Sequence, residues 1–438
     1  MTALKEDLIN SHILFQEKNL SNEFVNKIRL ASILDFETQG FPTTKNEEWK
    51  YTNLSPILKS HYKLFPKDSH SLEYKEVKPY LIDEIESYKL IFVDGKFSNH
   101  LSETTHEEAD ICILSSVFNK PIYQSLIENY FNTIAPKNEG FISLNTAYTN
   151  EGAFIHIPKN THLSKPIQII YFSTKDHNTF YNPRNLVILE DNSFAQIIES
   201  HYNLGKNEIL TNSVTEISIQ KNASLDYFKL QNDNLFSSII DNTHISQAEK
   251  SQTNIFSFSF GGKITRNNLH FYHQGERIES NLNGITLIDQ NQMVDHHTLV
   301  DHKFPNCSSN EKYKGLFLGN AKGVFNGKIF VHAEAQKTNA FQSNNNIILS
   351  ENASIDTKPQ LEIFADDVKC SHGCTVGELD EDALFYLQSR GIPKKEAKAL
   401  LTYAFSSDIL NSIGINALKN KVSHLIAKKL DVDTDFGL

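Results

Sequence analysis

Cys370, His372 and Cys374 stand at every second position of the run KCSHGCTVG, Lys369–Gly377. On an extended backbone alternate side chains leave the same face, so two thiols and an imidazole would project together. Thiolate and imidazole are the ligands that soft or borderline metals and iron–sulfur clusters select. Three protein ligands do not close a tetrahedral site, so a fourth has to come from elsewhere. The same residues also read as two small apolar thiols packed beside a turn at Gly373. Spacing alone does not separate the two readings.

Other chemistries leave fewer traces. Gly205-Lys206, Gly262-Lys263 and Gly327-Lys328 lack the upstream glycine and the following Ser or Thr of a phosphate-binding loop, so the chain is not expected to hydrolyse ATP itself. G-x-S-x-G, H-E-x-x-H and G-x-G-x-x-G elements are missing as well, which lowers the odds of common hydrolase and dehydrogenase chemistry. Histidines gather in His270-Phe271-Tyr272-His273 and in Val294–His302. Both stretches read as strands, on which His296 and His297 would point to opposite faces. A surface or core-edge role is the simpler reading, with a ligand role left for any that meets another chain. Trp49 and its surroundings, Lys45–Leu54, read as structural.

The cysteine–histidine run sits where one kind of element gives way to another. Up to residue 135 the chain is mixed. Leu14, Phe24, Ile28, Leu30, Ile33 and Leu34 indicate helices that Gly40-Phe41-Pro42 breaks, and Tyr88–Phe97 reads as a strand with an Asp-Gly turn. Residues 136–376 are strand-like throughout: Phe256, Phe258 and Phe260 alternate with serines, and Ile329, Val331, Ala333 and Ala335 with other neighbours. Asn222-Ala223-Ser224-Leu225-Asp226 reappears as Asn352-Ala353-Ser354-Ile355-Asp356, and Asn192-Ser193-Phe194 shares its context. Such repetition at the corners of short strands favours a β-solenoid over a sandwich.

From residue 377 to 438 the period becomes helical. Asp380, Glu381 and Asp382 open a first helix, Gly391 stops it and Pro393 starts the next. Ala397, Leu400, Leu401, Ala404 and Phe405 form one expected apolar stripe, and Leu418, Val422, Leu425, Ile426 and Leu430 another. These helices are expected to cover one end of the β region or to present a face to a partner.

Bulk properties bound the function. A chain of 438 residues carries more than one simple core. Its formal charge of −11 argues against nucleic-acid binding, which needs a concentrated basic face. No apolar stretch is long enough to span a bilayer, no export signal precedes the first charges, and four cysteines do not make a disulfide framework. The expectation is a cytoplasmic protein.

The stretch DTKPQLEIFADDVKCSHGCTVG, Asp356–Gly377, with FYLQSRGI, Phe385–Ile392, resembles the C-terminal signature of the SufB/SufD family of the SUF iron–sulfur cluster assembly system. NEEWKYTNL (Asn46–Leu54), YKGLFLGNAKGVFNG (Tyr313–Gly327) and QKTNAFQSNNNIIL (Gln336–Leu349) agree with it. The likeness runs from about Pro42 to Phe405, and the Glu48–Thr52 run with the Cys-Ser-His-Gly element favours the SufD branch over SufB. The resemblance implies a mainly β protein, with a right-handed parallel β-helix core between an N-terminal α-rich region and a C-terminal α-helical domain. It implies a non-enzymatic scaffold that pairs with a SufB-type paralogue and docks a SufC-type ATPase through its C-terminal helices. No cofactor would be bound stably, an iron–sulfur cluster would be held transiently in the complex, and a homodimer of the chain alone stays open. His372 falls on the family's functional histidine, and Cys370 matches the pattern as a second candidate ligand. Cys374 stands where a small residue is common, so no ligand role is carried over to it. Tyr386, Ser389, Arg390, Leu400, Ala404 and Phe405 are the candidate ATPase-docking residues. Removing everything after Asp380 is expected to abolish that docking and leave the β region folded. A carbohydrate-acting β-helix lyase is the alternative from another class, and it would need paired carboxylates in a surface groove.

Overall fold

Strand and tight corner alternate along residues 153–377, and the chain winds into a parallel β-helix. A computed structural model describes residues 3–64, 71–105 and 107–432. Two sheets face each other across a narrow lumen, and successive strands fall alternately into one and the other. Within one sheet the register pairs Leu282 with Glu311, Glu311 with Gln342 and Gln342 with His372, so that one coil consumes about 30 residues. Period-2 alternation now has its cause: one set of side chains lines the lumen and the other faces outward. Ile197, Ile217, Tyr227, Ile245, Ile255, Phe271 and Leu282 fill the first coils with apolar bulk.

The corners are built from residues that accept a left-handed backbone. Asn160, Asn192, Asn222, Lys250, Asn306 and Lys337 all have φ between 56° and 62°. Asparagine pays the least for this among residues with a side chain. Each of the six sends its backbone N–H to a carbonyl of the next coil, as from Asn192 to Lys221 and from Lys337 to Asp367. At the first three corners the side chains add a ladder, Asn192 Nδ2 donating to Asn160 Oδ1 at 2.8 Å and Asn222 Nδ2 to Asn192 Oδ1 at 2.9 Å. The repeated Asn-Ala-Ser motif is only partly such a corner. Asn192 and Asn222 occupy equivalent places in adjacent coils, whereas Asn352 leads into Ser354–Ile363 in the opposite sheet. What recurs there is a way of entering a strand.

The N-terminal region is attached to the helix of strands at several points. Tyr88–Val93 pairs in parallel with Ile167–Ser173 and so joins the solenoid itself. The Asp94-Gly95 turn, with φ of 53° and 75°, returns the chain to Lys96–Phe97 as expected. Helices Ala3–Lys18 and Glu23–Gln39 form where apolar residues recur, but their inner face differs from the expected stripe. Val25, Arg29, Ser32, Ile33 and Phe36 are buried, while Leu14, Leu30 and Leu34 face solvent. Arg29 can lie inside because Thr149 O takes two of its N–H groups, at 3.0 and 2.6 Å. Trp49, buried, lies 4.2 Å from the Arg266 guanidinium, which pairs with Asp295 at 2.5 Å.

Three C-terminal helices, Glu381–Ser389, Lys394–Leu410 and Asn416–Lys429, follow the last strand. Asp380 caps the first through the N–H groups of Asp382 and Ala383, and Gly391, at φ 87°, ends it. They pack against the outer face of one sheet and leave the end of the solenoid uncovered. Ile409, Leu410, Leu418, Val422 and Ile426 share a core with Phe228, Phe256, Phe258, Ile285 and Leu316. The stripe expected on the middle helix is displaced: Ala399, Thr402, Tyr403, Ser406 and Ile409 are buried with Ala397, whereas Leu400, Leu401 and Phe405 are half-buried and Ala404 is exposed. Small residues on the inner side let the helix lie close, and the bulkier leucines stay at its margin.

Candidate metal and partner interface

The last coil consists of Ser354–Ile363 and Lys369–Gly377, and among the described residues no further coil follows it. Among those residues each of its strands has one edge without a strand partner, so its outer row of backbone N–H and C=O groups is free to pair. Its lumen-facing side chains continue the rows of the coil beneath. Cys370 lies beside Ala340, His372 beside Gln342, Cys374 beside Asn344 and Val376 beside Asn346. From the facing strand come Thr357, Pro359, Leu361 and Ile363, beside Phe325, Gly327, Ile329 and Val331. The partners in the coil beneath are all buried, whereas the last coil's own lumen residues are half-buried or exposed. The solenoid therefore ends in a mouth.

The three residues singled out by spacing do share that mouth, with unequal surroundings. Cys370 is half-buried against Ile329, Ala340, Leu361 and Val368, and burial pushes its thiol up from the ordinary value. That burial disfavours its thiolate form. His372 is exposed. Cys374 is exposed too, with its Sγ 3.1 Å from Thr357 Oγ1 across the opening. Alternate residues on a strand have Cα atoms roughly 6.6 Å apart and side chains on the same face. No group of three or more His, Cys, Asp or Glu among the described residues is placed to hold a metal. An ion held at His372 would need donors from outside the chain.

Apolar surface surrounds the mouth. Val376 is 51% exposed near the end of its strand, Phe364 is 61% exposed next to Ile363 at the end of the facing strand, and Phe341 is exposed on the outer side of the coil beneath. Gly373 and Gly377 have open space where a side chain would be, so their backbone is directly approachable. A rim of this kind, beside two free strand edges, can be extended by strands of another chain.

The N-terminal segment reaches the same end of the molecule. Glu47 accepts from Lys358 Nζ at 2.6 Å, and Glu48 lies 3.2 Å from His297 Nδ1 and 3.3 Å from Asn326 Nδ2. Lys322 donates to Tyr51 O at 3.3 Å. The Lys45–Leu54 run thus straps the outer wall of the last coils.

The histidine clusters resolve into buried, mostly hydrogen-bonded groups. His273 and His302 meet edge to face at 4.4 Å inside the lumen and contact Ser280 and Ser309. Burial lowers both, His302 to about 4, which keeps the rings neutral. His296 points into the lumen towards Thr286 while His297 faces outward to Glu48, the opposition expected of neighbours on a strand.

The docking candidates fall on the first two C-terminal helices. Tyr386 is 56% exposed, and its neighbour Phe385, which sequence reasoning passed over, is 73% exposed. Arg390 lies over the Tyr386 ring at 5.3 Å and Ser389 donates to Tyr386 O at 2.7 Å, so the three form one patch. Leu400, Ala404 and Phe405 are on the next helix, where Lys314 donates to Phe405 O at 2.6 Å. Thr357, Leu361 and Ile363 were likewise not singled out, although they lie within a recognised motif. Their place in the mouth depends on coil register, which local alternation does not reveal.

Among proteins compared with this chain, a family profile described as the SufBD core domain of SUF system FeS cluster assembly matches residues 171–405, and one for the SufBD N-terminal region matches residues 8–169. An iron–sulfur cluster assembly SufBD family protein of Synechocystis is 30% identical over 98% of this chain and 94% of its own length. The iron–sulfur cluster assembly protein SufD of Escherichia coli is 29% identical over 89% of this chain and 90% of its own. SufD of Bacillus subtilis is 26% identical over 95% and 96%.

Proposed function

The chain belongs to the SufBD family of iron–sulfur cluster assembly proteins, and from that premise we propose that it is a SufD-type scaffold subunit acting without catalysis of its own. It pairs with a SufB-type paralogue at the mouth of the solenoid and docks a SufC-type ATPase through the Phe385, Tyr386 and Arg390 patch and the neighbouring helix. It acts in the cytoplasm; no helix among the described residues is long and apolar enough to cross a membrane. Iron or a nascent cluster is the cargo at the junction. His372 supplies one imidazole ligand or positions the cargo, and Cys370 is the second candidate ligand. Donors from the paralogue complete the set. Nucleotide turnover in the ATPase shifts the relative placement of the two scaffold subunits through the differing affinities of its nucleotide states.

The observation that carries this reading is the uncovered last coil. Two free strand edges, an apolar rim and an exposed imidazole meet there, and the three cannot serve one another within a single chain. The test is His372→Ala in a complex reconstituted from this chain, a paralogue and the ATPase. Cluster yield should fall at least tenfold while the subunits still co-elute. Unchanged yield would remove His372 from the site, and polysaccharide cleavage by the isolated chain would overturn the scaffold reading altogether.

A further inference from the structure

Beneath His372, on the same lumen-facing row, lie Gln342 and then Glu311. With parallel strands about 4.8 Å apart, the carboxyl group is two rungs, roughly 10 Å, behind the imidazole. Glu311 is fully buried and has no cationic partner among the described residues. Its Oε2 accepts from Thr298 Oγ1 at 2.6 Å and from Gln342 Nε2 at 3.2 Å, while its Oε1 is unpartnered. Gln342 is buried too. It gives its amide hydrogen to Glu311 and leaves its own amide oxygen without a partner. Room for the carboxamide is cut by Gly327 on the facing strand, where an added Cβ would meet Gln342 Nε2 at 2.2 Å. An unpaired acid in a closed lumen is costly, and so is an amide carbonyl with nothing to accept. Both features lie on the row that ends in His372.

We propose that Glu311 is a positioning residue for His372, acting through the Gln342 carboxamide. The inference rests on the proposed role of His372. An N–H of the imidazole donates to Gln342 Oε1, and Gln342 Nε2 donates to Glu311. This order fixes one ring nitrogen as the donor and leaves the other with its lone pair turned out of the mouth. Histidine ligands of metals are commonly held in this way, with the second nitrogen bound to a carbonyl or carboxylate. Charge on Glu311 makes the chain stronger, because an ionised acceptor polarises the amide between.

Glu311 is also placed to respond to pH. Burial raises its carboxyl to about 7 against the partial compensation of Thr298 and Gln342. The titratable groups around it do not oppose this. Tyr313 on its own strand is raised by burial and stays neutral, and His296 on the facing strand is lowered to about 4. Lys312 and Lys314 point outward to Asp408, Lys328 points outward to Glu362, and the Asn339–Ile348 strand carries no charge.

The experiment is nitrogen-15 NMR of the full chain labelled at histidine, with His372 assigned from the signal lost in His372→Ala. In Glu311→Gln the His372 titration midpoint should fall by about a tenth to a few tenths of a unit, because a carboxyl raised to about 7 is only partly ionised where an imidazole ordinarily titrates. In Gln342→Met the preference for one ring tautomer should disappear. Circular dichroism verifies that both variants are folded, and Glu311→Asp should restore part of the shift. An unchanged midpoint and tautomer in both folded variants would overturn the proposal. Because neither readout involves a cluster, failure here is separable from an unaffected cluster yield in His372→Ala, which concerns the ligand role alone.

Discussion

Glu311 and Asp295 are both buried carboxyl groups in the same solenoid, and their surroundings drive them in opposite directions. Asp295 is held well below the ordinary range by the Arg266 guanidinium and by His297. Removing it by Asp295→Ala strands Arg266 beside Trp49 and should cost about 3–5 kcal/mol in urea unfolding. Glu311 has no cation and sits at about 7, above its ordinary 4.5. Between those two values the folded chain holds a proton that the unfolded chain has released. The stability of the neutral acid is therefore complete below pH 4.5 and lost as pH rises through 7. Glu311→Gln, neutral throughout, should gain about 1–3 kcal/mol on the native chain between pH 5 and pH 8. A denaturation series that ran parallel for the two chains would contradict this. Of these residues the sequence made His372 and Cys370 legible, because they stand in a recognisable string. Glu311 and Gln342 were not, since nothing local distinguishes a lumen-facing acid from one on the outer wall.

The C-terminal helices were expected to cover one end of the β region or to present a face to a partner, and they cover the outer face of one sheet instead of its end. Their boundaries follow from Asp380, Gly391 and Pro393, which local chemistry makes plain. Their inner face was misjudged, because a helix with leucines on two sides does not reveal which side a sheet will take. Since Ile409, Leu418, Val422 and Ile426 complete a core with the outer sheet, truncation after Asp380 would expose Phe228, Phe256 and Phe258 to water. The expectation that the β region stands alone is thus not supported by the packing, and docking is better tested at exposed positions. Phe385→Asp with Tyr386→Asp should reduce ATPase co-purification at least tenfold and move the thermal midpoint by less than about 2 °C. Retained capture would exclude that patch. Ile426→Ala, by contrast, should destabilise by about 2–4 kcal/mol through the cavity it leaves.

At the scale of the whole molecule the two ends are not alike. At the N-terminal end the sheets finish in antiparallel pairs, Lys96–Phe97 on Tyr88–Val93 and Asp110–Ile113 on Ala153–Ile157, and the other end exposes Val376, Phe364 and two strand edges. Exposed edges of this kind pair with whatever strand is available, so the isolated chain should self-associate in a concentration-dependent way. Val376→Lys should return it to a monomer in sedimentation velocity, and an unaltered profile would place self-association elsewhere. The β-solenoid itself was legible from alternation and recurring Asn-rich turns. Which rows face the lumen was not, for that depends on the stagger between coils about 30 residues apart.

The stitched corners carry one more consequence. Each of the six left-handed corner residues bonds only to the coils directly beside its own. Length in such a molecule is counted in coils. A complete coil spliced in at the Lys250 corner would meet the same hydrogen bonds on both sides, whereas a single residue added within a strand would turn its lumen row outward. The separation between the N-terminal end and the mouth can therefore change only in steps of about 4.8 Å, like the teeth of a rack.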